Sequence, residues 1–93
     1  MKIFGTVTKE DCFIRGTEWK EGTTKDGHAY AFGVVRFDDE AGEGFELRLE
    51  AEAKIEDFPR RKEGKITINV YHGKGYGGKE TTYLRAKNFE AYK

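Results

Sequence analysis

Apolar and polar residues alternate along most of this chain, the two-residue period of a strand with one buried face. Lys2 to Thr8 (Lys-Ile-Phe-Gly-Thr-Val-Thr) predicts a first strand, Lys9-Glu10-Asp11 a bulge or bend, and Cys12 to Trp19 a return to extended chain. Lys20 to His28, with Gly22 and an Asp26-Gly27 pair, has the composition of an exposed turn. Ala29 to Phe37 is the strongest strand, Asp38 to Glu43 a hairpin turn, and Gly44 to Leu49 alternates cleanly. The period then changes. Ala51, Ala53, Ile55 and Phe58 among Glu and Lys predict a short helix over Glu50 to Phe58, stopped by Pro59. Lys65 to Tyr71 is a strand with Ile66, Ile68 and Val70 on one face. His72 to Glu80 is a glycine-rich loop, and Thr81 to Ala91 a last strand with Leu84 and Phe89 in the core.

Three strands, a short helix and two more strands, the first long and bent, predict an all-β domain. The pattern is that of a small five-stranded OB-fold-like Greek-key barrel with one short helix between strands three and four. An SH3-like barrel is the nearest competitor, and the helical insert before strand four favours the OB arrangement. Ninety-three residues make one domain, 1–93. Seven Phe, five Tyr and one Trp beside twelve Gly and a single Pro suit short strands and glycine turns, and suit disorder badly.

One cysteine, Cys12, excludes an intramolecular disulfide and a cysteine-based metal set, and it reads as a small buried residue. The N-terminus lacks the apolar stretch of a signal peptide and no apolar run approaches the ~20 residues of a membrane-spanning helix, so a cytoplasmic protein is expected. His28 and His72 both fall in predicted turns without metal-ligand spacing. The carboxylates cluster in a solvated hairpin and helix. No enzyme activity and no cofactor are expected.

Net charge is zero, yet it is unevenly spread. Residues 38–57 carry nine acids against Arg48 and Lys54, whereas residues 58–93 carry nine bases against Glu63, Glu80 and Glu90. A dipolar molecule can present a basic face while neutral overall. In the second strand Tyr30, Phe32, Val34 and Arg36 share one face and Ala31, Gly33, Val35 and Phe37 the other. Both faces are too apolar for one core, so one exposes an aromatic–basic stripe of the kind that stacks bases and tracks phosphates, or is buried in a dimer. On the last strand Tyr83, Arg85 and Lys87 form a second such stripe. The loop His72 to Lys79 presents Lys74, Tyr76 and Lys79 among glycines, a form able to close over an unstacked base; it is not a P-loop. Lys25 lies in the loop between strands one and two, where an OB-fold grips its ligand. Trp19, just before it, is either core or a stacking platform.

The stretch Lys25-Asp26-Gly27-His28-Ala29-Tyr30-Ala31-Phe32, followed by a hairpin and later by Lys74-Gly75-Tyr76-Gly77 before a basic last strand, resembles the single-stranded DNA-binding proteins of filamentous phages. The Lys-Asp-Gly segment is also similar to one in bacterial single-strand-binding OB-folds. The resemblance spans residues 15–88 and implies that Arg15, Tyr30, Phe32, Tyr76 and Arg85 occupy DNA-contacting positions. It implies a homodimer as well, built through the hairpin near the late strands. His28 and Ala29 depart from the family's Lys-Pro after the glycine, and residues 50–61 form a longer, more acidic insert.

The expected function is therefore sequence-tolerant binding of single-stranded DNA in phage, plasmid or mobile-element replication. Acidic segment 38–57 is open to a replication-protein partner. An RNA-binding OB-fold is the nearest rival. A different class is an acidic protein-interaction module whose aromatics form the interface.

Overall fold

The computed structural model describes residues 2–74 and 76–93, with side chains for residues 4–74 and 77–93. Strands β1 (Lys2–Thr23), β2 (Ala29–Asp38), β3 (Gly44–Leu49), β4 (Glu63–Lys74) and β5 (Glu80–Ala91) close into a single barrel in the order β1-β2-β3-β5-β4. All neighbours are antiparallel except β3 and β5, which meet through only two parallel pairs, Arg48–Arg85 and Leu49–Ala86. This is the strand order of an OB-type Greek-key barrel.

The ring closes because β1 is long enough to serve two neighbours. Lys2 to Phe13 pair with β4 and Phe13 to Thr23 with β2. The register slips between Lys9 and Cys12, where Asp11 takes a left-handed φ of 55°. A bulge re-aims a strand in this way. The bend is pinned from the far end of the chain: the Asp11 amide donates to the Tyr92 hydroxyl at 3.0 Å, and that hydroxyl donates to Asp11 Oδ1 at 3.1 Å.

Cys12, Ile14, Val35, Phe37, Leu49, Phe58, Ile66, Ile68 and Ala86 form the core. Phe58 anchors the connector between β3 and β4, a burial worth about 1.5–3 kcal/mol. The helix expected over Glu50 to Phe58 is reduced to one 3-10 turn, Ile55–Asp57. Its apolar residues are pulled inward singly and leave no continuous helical face to bury. Two further expectations shift for related reasons. β4 and β5 extend to Lys74 and from Glu80, so the glycine-rich loop shrinks to a turn at Tyr76–Gly78. Leu84 is 40% exposed, because β3 does not pair with β5 at that level.

Both faces of β2 are accounted for within one molecule. Gly33, Val35 and Phe37 face inward. Val34 on the opposite face is buried between its cross-strand neighbours Glu18 and Arg48, whose long side chains cover it. Beyond Val34, β3 has ended. Trp19 to Thr23 and Ala29 to Gly33 continue as a two-stranded arm, closed at its tip by Thr24 N–H donating to the His28 carbonyl at 2.8 Å.

Candidate nucleic-acid interface

The arm and the barrel meet at a recess of about 270 Å³ lined by Trp19, Ala31, Phe32, Gly33, Arg48, Leu49, Glu50, Ala51, Ala53 and Arg85. It exists because β3 stops at Leu49 while β2 runs on, exposing the edge of β2. Trp19 pairs with Gly33 across the arm and so lies on the face opposite to that of Phe32 and Tyr30, which pair with Lys20 and Gly22. Its Nε1 donates to Glu21 at 3.1 Å, which orients a ring that is 53% exposed.

Arg48 and Arg85 are register partners on β3 and β5. Neither has an acidic partner within ion-pair distance among the described residues. The Arg48 guanidinium lies 4.2 Å from the Phe32 ring centroid, a close cation–π contact. Partial burial, and then the neighbouring Arg85 charge, push that guanidinium below its ordinary value. Glu50 is the one carboxylate among the described residues lining the recess; it forms no ion pair with either arginine, and it accepts from Asn69 Nδ2 at 2.7 Å and also from the Tyr71 hydroxyl. Two like charges held side by side without a counterion favour an anion between them.

The residues expected from the sequence divide into three groups. Trp19, Phe32 and Arg85 come together at the recess. Tyr30 continues the row along the arm, its ring 5.9 Å from Phe32 and packed over Gly22, its cross-strand partner. A Cβ at Gly22 would lie 2.6 Å from the Tyr30 hydroxyl oxygen, so the glycine lets the aromatic lie flat on the strand. Tyr83 is half-buried beside Arg85, whose guanidinium sits 5.7 Å from its ring.

A second group is exposed but separate. Lys25 stands at the arm tip, Lys74 and Lys79 at the β4–β5 turn, and Lys87 at a β5 bulge that breaks its alternation with Arg85. The side chain of Tyr76 and the whole of Gly75 lie outside the described residues.

The third group is neutralised. Arg36 pairs with Glu18 at 2.8 Å and with Glu46 at 3.2 Å, and Arg15 pairs with Asp38 at 2.6 Å. The hydrogen bond between Arg36 and Glu18 holds the arginine above its ordinary value and the glutamate below its own. Arg15 is also at the opposite end of β2 from the recess.

Arg48 was not anticipated. In sequence it is one of two bases inside the acidic run, with Lys54, and only the β3–β5 contact sets it beside Arg85. The alternation Phe45-Glu46-Leu47-Arg48-Leu49 already placed it on the outer face; what was missing was its neighbour.

Cys12 is fully buried, and burial pushes its thiol up, away from nucleophilic use. No group of three metal-ligating side chains converges among the described residues. No helix is long and apolar enough to cross a membrane. Comparison of the chain with protein-family models, curated proteins and solved structures found no match.

Proposed function

We propose that this protein binds single-stranded DNA without strong sequence preference, bases stacking on Phe32, Tyr30 and Trp19 while Arg48 and Arg85 hold phosphates. One observation carries the reading: two guanidiniums without acidic partners share a recess with Trp19 and Phe32 at the free edge of β2. Base–aromatic stacking tolerates any base, and a positively charged groove tracks the backbone. In an OB barrel the ligand lies across strands two and three and between the loops joining β1 to β2 and β4 to β5. Here those loops bear Lys25 and Lys79, both exposed and without acidic partners among the described residues.

Segment 38–57 supplies the acids that pair with Lys9, Arg15, Lys20 and Arg36, whereas most bases of segment 58–93 have no acidic partner among the described residues. Such a division gives a neutral protein a basic ligand face, with the acidic hairpin left for a protein partner. The proposed role is in phage, plasmid or mobile-element replication in the cytoplasm, as a homodimer. Fluorescence-anisotropy titration with poly-dT, poly-U and duplex DNA at two salt concentrations tests it. Poly-dT is expected to bind more tightly than duplex, with affinity falling as salt rises. Equal or tighter duplex binding would sink the reading, and a poly-U preference would move it to RNA.

A further inference from the structure

The recess has the dimensions of one residue of a strand, not of a run of them. Its volume of about 270 Å³ is just below the ~300–1,000 Å³ of small-molecule sites. Its floor is made of small groups, Ala31, Gly33, Ala51 and Ala53, and it is bounded by the flat Trp19 indole and the two guanidiniums. Each boundary is held by neighbouring side chains. Glu21 fixes the indole, the Phe32 ring supports Arg48, and Asn69 and Tyr71 hold the Glu50 carboxylate by hydrogen bonds.

We propose that this recess is a discrete mononucleotide subsite: it seats one unstacked nucleotide, its phosphate bridging Arg48 and Arg85 and its base against Trp19. The inference rests on the single-strand reading above but goes beyond it, because a continuous stacking platform has no such preferred position. Arg85 binds from β5 and Arg48 from β3, so the phosphate also ties together the two strands that share only two backbone pairs. Ligand binding should thus protect the β3–β5 seam.

Trp19 is the only tryptophan in the chain, so fluorescence excited to the red of tyrosine absorption reports on this recess alone. The experiment is a fluorescence titration of the intact protein with dTMP and with thymidine, in parallel with poly-dT anisotropy, on wild type, Arg48→Ala and Arg85→Ala. Far-UV circular dichroism establishes that each variant is folded. dTMP is expected to quench saturably, and thymidine, which lacks the phosphate, about tenfold more weakly or worse. Each arginine variant should lose about tenfold in dTMP affinity while keeping part of its poly-dT binding.

Thymidine matching dTMP, or poly-dT binding with unchanged Trp19 fluorescence and undiminished affinity in both variants, would overturn the subsite and leave the single-strand reading standing. Saturable dTMP quenching in a protein that does not bind poly-dT would do the reverse.

Discussion

At the scale of single residues, having a positive charge and having one to offer are different properties. Arg36 and Lys79 are both exposed cations, yet Arg36 is clasped by two glutamates and Lys79 has no acidic partner among the described residues. Only the second can release a counterion from DNA. Lys79→Ala should therefore make the slope of log K against log salt shallower by ~0.7, the single-strand value for one phosphate. Arg36→Ala should leave the slope within error, since it removes a charge already compensated and bares Glu18 and Glu46 instead. Anisotropy across a salt series reads both. Equal changes in slope would show that the ion pairs open on binding. This is also where residue-level reading of the sequence ran short. Phe32, Trp19 and Arg85 could be singled out from type and alternation. The neutralisation of Arg15 and Arg36 and the recruitment of Arg48 depend on partners 10 to 37 positions away, which alternation does not specify.

Individual strands were legible because each has one buried face, and their irregularities were not. On β5 the alternation Tyr83-Leu84-Arg85-Ala86 holds until the register slips opposite Thr67 and Ile68. After the slip Phe89, not Asn88, packs on the core, and Lys87 leaves the row of Arg85. A bulge adds one residue and inverts the facing of every later one, so Phe89 packs on the core as expected while Lys87 is lost from the stripe expected with Tyr83 and Arg85. The barrel's closure depends on one more local feature. Gly64, the second residue of β4, lies between Cys12 and Ala91, so close to β5 that a Cβ there would overlap the Glu90 carbonyl oxygen. Backbone cannot turn aside as a side chain can. Gly64→Ala is expected to cost about 1–3 kcal/mol, the range for overpacking. Urea unfolding should show the lower midpoint with an unchanged slope. An unaltered midpoint would mean that the β4–β5 end is loose enough to open without cost.

For the molecule as a whole, three of the exposed large hydrophobics, Phe4, Val7 and Leu84, lie where β1, β4 and β5 run past the barrel, and this is the face on which the proposed homodimer would form. Where β3 parts from β5, a groove of about 310 Å³ opens between Val7, Phe37, Phe45, Leu47, Ile68 and Leu84. Val7 pairs with Ile68, and Leu84 with Val70, so both point to the inner side of sheet that continues past the barrel. Phe4 lies on the same extension, against the His72 ring at 5.9 Å, and is 77% exposed. In the proposed homodimer each copy's Phe4 would enter the other's groove about a two-fold axis. Exposed clusters of this kind mark association surfaces. The excess of apolar residues on β2, which first raised the expectation of a dimer, is resolved inside the monomer, so the case now rests on this other face. Sedimentation at micromolar concentration should give twice the chain mass of 10.6 kDa, and Phe4→Asp should return the monomer without loss of fold. A dimer also carries two recesses. Poly-dT long enough to span both should bind more tightly than a strand filling one, because the second contact is made at high effective concentration. A mass of 10.6 kDa at every concentration would overturn the dimer. Phe4→Asp that leaves a dimer intact would move the interface off this face.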